Sequence, residues 1–276
     1  AGSPTHWSYP LWVEAGESDR WNQRRWSSEQ GLAPTSWQDQ DELDEMKRTL
    51  PEASLRRLFL NEWVTGDETF CTPEQFAELV RRHDDVLAFR REHQYVVSVD
   101  IGLTNDRTAV AVSHLENREV WADGRTAYDG RAVVVDALTS FSGTKKNPVS
   151  LKQVEETVER LSRRYGRAPV VFDPYQAASL GQSLRDKGLR AEQFVFSATS
   201  KAKLAASALH LVRDGLWSLP ANPVLRTEIL DLRLVERTTG QIYLDHPAGG
   251  HDDLFMAVNL GAHFLLDRLP KPVRSY

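Results

Sequence analysis

The chain has 276 residues, 41% hydrophobic and 26% charged, which suffices for one sizeable core plus an appendage; its single cysteine, Cys71, excludes an internal disulfide framework. A net charge of −5 argues against a protein that coats nucleic acid. The longest apolar stretch, Leu254 to Leu266, is interrupted by Asn259, Gly261 and His263 and falls short of the roughly 20 residues that span a bilayer, so a soluble, cytoplasmic protein with no membrane contact is expected.

Residues 1 to about 50 are rich in Trp, Gln, Ser and Asp, show no sustained period of 2 or 3.6, and are punctuated by Pro4, Pro10, Pro34 and Pro51, which predicts an arm or linker. Trp7, Trp12, Trp21, Trp26 and Trp37 are too many for a freely solvated tail, so the arm is expected to pack against something. Short helical patterns follow over Glu52 to Trp63 and Pro73 to Val80, the second with Thr72 as N-cap and Pro73 at the first helical position. The expected division is an N-terminal arm with short helices over 1–90 and a main domain over 91–276.

From Tyr95 the character changes. Strands are predicted over Tyr95 to Ile101, Thr108 to Ser113 and Ala132 to Leu138, an antiparallel run at short spacing. Helix Leu151 to Tyr165, strand Pro169 to Phe172, helix Tyr175 to Lys187 and strand Gln193 to Phe196 then alternate as parallel crossover units do. Helices Lys201 to Arg213 and Pro223 to Val235, a short strand Gln241 to Leu244 and a last helix Asp252 to Leu266 complete the chain. The predicted fold class is α/β: one mixed sheet, three antiparallel strands and then parallel crossover strands, flanked by helices.

Four aspartates stand where this layout exposes them to a ligand. Asp100 ends an apolar strand on the face of Val96 and Ser98, where an ionised carboxylate is costly unless paired, hydrogen-bonded or bound to metal; it also reads as a turn-initiating Asp before Gly102. Asp106 is a turn residue or an outer partner of the same spot. Asp173 ends the strand Val170 to Phe172 and precedes Pro174, as an N-cap would, yet ligands of open α/β sheets bind at such strand ends. Asp252 and Asp253 open the last helix, where one Asp would suffice as a cap. Together they are a plausible oxygen cage for two Mg²⁺ or Mn²⁺ ions acting on a phosphodiester, with His251 as an outer partner, proton shuttle or loop residue.

With these residues assembled, Tyr95 to Leu266 resembles the C-terminal nuclease domain of the large terminase subunit of tailed bacteriophages. The resemblance rests on Val99-Asp100-Ile101-Gly102 with Asp106, on Val171-Phe172-Asp173-Pro174-Tyr175-Gln176-Ala177, and on His251-Asp252-Asp253 before an apolar helix. Phe59-Leu60-Asn61-Glu62-Trp63 is similar to the segment joining that family's ATPase domain to its nuclease. The resemblance implies a ribonuclease H-like fold and a two-metal endonuclease that cuts concatemeric double-stranded viral DNA during packaging in an infected bacterial host. Its ligands would be Asp100, Asp173 and one or both of Asp252 and Asp253, with Asp253 favoured. Implied partners are an ATPase motor, the portal and the small terminase. The Gly-x-x-x-x-Gly-Lys-Ser/Thr run of such a motor does not occur in this sequence, so the motor is expected on an excised domain or a separate chain.

Two other enzyme classes share features. Asp100-Ile101-Gly102 with Thr104 also resembles the first phosphate loop of sugar kinases and actin-like ATPases, which need a second such loop, whereas Asp173 is followed by Pro174 and Tyr175. Resolvases and transposases share the acidic triad but not the Asn61/Trp63 segment. An adaptor with a decayed site is disfavoured by the presence of all three carboxylate positions. For DNA contact, Gly143 to Arg213 holds 13 Lys/Arg against six Asp/Glu; Lys145, Lys146, Arg163, Arg164, Lys201 and Lys203 are the phosphate-contact candidates, and contact through phosphates predicts cleavage with little sequence preference.

Overall fold

A computed structural model describes residues 7–25, 52–63, 67–81, 86–102, 107–122, 126–236, 242–247 and 249–268. In chain order the elements are α1 (Ser8–Glu17), α2 (Glu52–Leu58), β1 (Asp67–Thr69), α3 (Pro73–Leu79), β2 (Tyr95–Asp100), β3 (Arg107–Ala122), β4 (Thr126–Ser142), α4 (Leu151–Arg164) and β5 (Val170–Phe172). Then come α5 (Pro174–Asp186), β6 (Ala191–Gln193), α6 (Ala198–Arg213), β7 (Trp217–Ser218), α7 (Pro223–Asp231), β8 (Arg233–Glu236), β9 (Ile242–Asp245) and α8 (Asp253–Arg268). The chain divides into two units, Ala1–Thr69 with Arg233–Asp245, and Phe70–Leu232 with His246–Tyr276.

The larger unit is built on a sheet with the order β6-β5-β2-β3-β4-β7 among the described residues. β2, β3 and β4 pair antiparallel, while β5 joins β2, and β6 joins β5, in parallel, as the sequence predicted. Alternation sorts the side chains of β2. Tyr95, Val97, Val99 and Ile101 enter a core with Val154, Val158 and Leu161 of α4 and Leu180 and Leu184 of α5. On the other face α8 lies so close that a Cβ added at Gly261 would meet Ser98 Oγ at 2.6 Å, which is why a glycine sits in mid-helix there. Caps fix the helix starts: Ser150 Oγ accepts Gln153 N–H at α4, and Asn222 Oδ1 accepts Val224 and Leu225 N–H at α7, with Pro223 just inside.

The smaller unit holds α1, α2 and a three-stranded antiparallel sheet ordered β1-β8-β9. The Tyr9 and Trp63 rings meet edge to face at 5.3 Å, and Glu62 takes the Arg56 guanidinium at 2.7 Å. Of the tryptophans expected to pack, Trp7 and Trp21 are exposed and Trp12 is half-buried; Trp26 and Trp37 lie outside the described residues.

Several predicted bounds differ. The helix expected over Pro223 to Val235 ends at Asp231, because Leu232 and Leu234 alternate in an extended segment whose partners are remote in sequence. The late strand therefore belongs to the smaller sheet rather than the main one. The strand expected at Gln193 to Phe196 lies earlier, at Ala191–Gln193, and the helix expected to reach Trp63 stops at Leu58. β3 and β4 run far beyond their apolar segments as one long hairpin, and α1 and the short β1 and β7 had no pattern to announce them. No helix among the described residues is long and apolar enough to cross a membrane.

Candidate active site

Three local features bring the four aspartates to one cleft. Val99 pairs with Phe172 in the parallel β2/β5 ladder, so Asp100 and Asp173 leave the two strand ends side by side, adjacent strands being roughly 4.8 Å apart. The start of α8 covers the same end of the sheet: the Arg107 backbone N–H, opening β3, donates to Asp253 Oδ2 at 3.1 Å. Asp252 is the helix N-cap by its backbone, its carbonyl accepting Met256 N–H at 2.7 Å, which leaves its side chain to the cleft. Asp100, Asp173, Asp252 and Asp253 all line this cleft, as do Lys201, His246 and His251.

The electrostatics are those of acids crowded away from water. Burial pushes the Asp100 carboxyl well above its ordinary value, and the charges of Asp253, Asp252, Asp173 and Glu228 push it further. Asp253 is buried, and His251 Nδ1 stands 3.8 Å from its Oδ2. Asp252 is more open, with His246 Nε2 at 3.9 Å from its Oδ1.

Glu228 was not anticipated. It sits on the buried face of α7, where burial, with Asp253 and Asp252 adding, pushes its pKa up to about 7. It accepts the Phe255 N–H at 2.9 Å, in the first turn of α8, while its other oxygen lies in ion-pair range of Arg107, at 3.9 Å, and makes no hydrogen bond. The signal was available: Leu225, Glu228 and Ile229 share the i, i+3, i+4 spacing of a buried helix face. His246 was missed too, since nothing in its local sequence ties it to Asp252.

Most other predicted residues fall into two groups. Lys201 lines the cleft, and the exposed Lys145 and Lys146 follow β4 where it leaves the sheet at this same end, Ser142 being paired with Arg107. Arg163 and Arg164 end α4 beside Tyr165, whose ring packs 5.1 Å from that of Tyr95 at the opposite end of β2, and Arg163 is bonded to Glu159 at 3.0 Å. Those two arginines are not brought to the cleft. Lys203 is exposed on α6, and Asp106 and Thr104 lie outside the described residues.

The donor set fits hard divalent cations: carboxylate oxygens predominate, and their mutual repulsion is what such an ion offsets. Among the described residues no three of these carboxylates bring one oxygen each within a mutual 4.8 Å, so they surround a cleft rather than a single point.

A scan against protein-family models and a search of curated proteins return no match. Solved structures do match. The large terminase nuclease from thermophilic phage G20c aligns at 20% identity over 70% of this chain and 97% of its own, with a TM-score of 0.54. The large terminase nuclease domain of Thermus phage P74-26 aligns at 21% identity over 70% and 93%, with a TM-score of 0.52. A longer protein, the large terminase of another thermophilic bacteriophage, aligns at 15% identity over 96% of this chain and 61% of its own, with a TM-score of 0.59. The G20c nuclease has also been solved with bound magnesium and with bound cobalt. The shared property is the fold: this chain has the ribonuclease H-like architecture of large-terminase nucleases.

Proposed function

We propose that this chain is a metal-dependent endonuclease of the large-terminase kind, cutting concatemeric double-stranded viral DNA during genome packaging. One observation carries the reading: Asp100 stands half-buried at a strand end and is pressed by four further carboxylates, an arrangement that costs stability unless cations meet it. The matching fold of the G20c nuclease, which binds magnesium, supports it.

In this reading Asp100, Asp173, Asp253 and Asp252 hold two Mg²⁺ or Mn²⁺ ions. Bound there, such ions supply an activated water and charge stabilisation for the departing oxygen of a phosphodiester. The protein's own part is positional. The Arg107 N–H fixes one oxygen of Asp253, Glu228 holds the helix start that carries it, and Lys201 offers a phosphate a counter-charge on the cleft wall. His251, beside Asp253, is placed to carry a proton between cleft and solvent. An ATPase motor on the same or another chain, the portal and the small terminase are the proposed partners; the first rests on the longer large terminase, solved with ADP and of which the match covers about 60%.

The test is plasmid conversion in EDTA, Mg²⁺ and Mn²⁺, with ATP hydrolysis followed in the same tubes. Cleavage in the metal arms without ATP turnover is expected. ATP turnover without cleavage would favour the kinase-like alternative.

A further inference from the structure

A second group of ligand-type side chains sits at the other end of the main sheet. His114 and Glu116 project from one face of β3, and His93 lies in the turn just before β2, where Tyr95 pairs with His114. One ligand atom from each of His93, His114 and Glu116 lies within a mutual 4.8 Å, the one such trio of His, Cys, Asp or Glu among the described residues. This end is five residues back along β2 from Asp100, about 17 Å at roughly 3.4 Å per residue, and Tyr95 faces the opposite side of the sheet from Asp100. It is therefore physically separate from the aspartate cleft.

We infer that His93, His114 and Glu116 form a metal site for one divalent ion of the zinc class. Nothing in the sequence announces it, because the three residues are scattered across a turn and a strand without a recognisable spacing.

Three features point past simple packing. His114 Nδ1 lies 2.7 Å from Asp136 Oδ2, and Asp136 is buried; a carboxylate that accepts the Nδ1 proton leaves Nε2 turned outward with its lone pair, the outer support that metal-bound histidines commonly have. His93 Nε2 is buried without a hydrogen-bond partner, though its ring lies 4.1 Å from that of His114, so an imidazole nitrogen is held against the cluster with nothing to satisfy it. His114 Nε2 is 3.2 Å from Glu116 Oε1, so a ring nitrogen and a carboxylate oxygen already face one another where a single ion would bind both.

Two nitrogens and a carboxylate oxygen form a donor set suited to Zn²⁺, Co²⁺ or Ni²⁺ rather than Mg²⁺. His93 and Glu116 open onto a cleft also lined by Glu92, Gln94, Asn117 and Arg131, while His114 lies buried behind them. An ion here would tie the turn carrying His93 to the β3/β4 hairpin. The site is thus assigned a structural role that does not depend on the nuclease reading.

The experiment uses the full chain carrying Asp100→Asn and Asp253→Asn, which weakens metal binding in the aspartate cleft whether or not that cleft cuts DNA. Zn²⁺ is titrated calorimetrically, Co²⁺ is followed by its visible absorption, and melting is recorded with and without Zn²⁺. Expected are one ion per chain, Co²⁺ bands diagnostic of nitrogen ligation, and a rise in melting temperature of about 5 °C or more at saturation. His93→Ala and, separately, Glu116→Gln lie at the cluster's more open edge; each is expected to keep its circular dichroism and to weaken Zn²⁺ binding by roughly tenfold or more. No Zn²⁺-dependent stabilisation in the background protein, or affinity unchanged in both variants, overturns the site.

Discussion

At the residue scale, two acids at the site, Asp100 and Glu228, are held away from their ordinary ionisation. Glu228 shows this in measurable form: its pKa is raised to about 7 in the folded chain, against 4.5 for an unperturbed glutamate. A carboxyl raised on folding contributes stability that is fully present below the unfolded value and is lost as pH rises through the folded one. The metal-free protein is therefore expected to lose stability between about pH 4.5 and pH 7. Asp100, raised by the same causes, acts in the same direction. Glu228→Gln keeps an acceptor for the Phe255 N–H and removes the charge, so in EDTA it should be the more stable protein at pH 8, by up to roughly 3 kcal/mol, with little difference at pH 4.5. Urea melts at the two pH values read this directly; equal pH dependence in both proteins would show that Glu228 is not held protonated. Asp100 was legible beforehand because a charge at the end of an apolar strand breaks a visible pattern. Glu228 was not, because an acid on a short helix resembles ordinary solvated surface until the helix is seen to face Asp253.

At the element scale, the site depends on how closely α8 lies on β2. A glycine in mid-helix ordinarily costs about 0.5–1 kcal/mol relative to alanine, so Gly261→Ala would be expected to stabilise an exposed helix. Here the added methyl meets Ser98 Oγ at 2.6 Å and Ser98 Cβ at 3.3 Å, on a fully buried serine, and packing reverses the sign. A loss of roughly 1–3 kcal/mol is expected in denaturant unfolding, partly recovered by Ser98→Ala in the same chain. Stabilisation by Gly261→Ala alone would mean that helix and sheet are not in such contact. Strand alternation made β2 readable, and N-cap chemistry with apolar periodicity did the same for α4. The limits of β3 and β4 were not readable, because a ladder of backbone bonds carries their polar outer halves without an apolar repeat. Nor was the break after Asp231, since β8 is defined by partners at 67–69 and 242–245 that no local window contains.

At the scale of the molecule, a net charge of −5 coexists with a basic middle section, and the structure sorts that section by place. Lys201 lines the cleft and Lys145 and Lys146 leave the sheet beside it, whereas Arg163 and Arg164 stand at the far end. The joint variant Lys145→Ala/Lys146→Ala is accordingly expected to weaken DNA binding alike for unrelated sequences and to lower the salt-dependence slope by about 2. Arg163→Ala/Arg164→Ala should leave both unchanged; the reverse pattern would place DNA on another face. Whether Asp100 anchors a metal-dependent cut is read by comparing wild type and Asp100→Asn on supercoiled plasmid in Mg²⁺ and Mn²⁺, with melting in EDTA as the folding control. Nicked and linear DNA are expected from the wild type only when metal is present, with background cleavage from Asp100→Asn and a variant that melts no lower than the wild type because carboxylate repulsion is relieved. Undiminished cutting by Asp100→Asn would contradict that role.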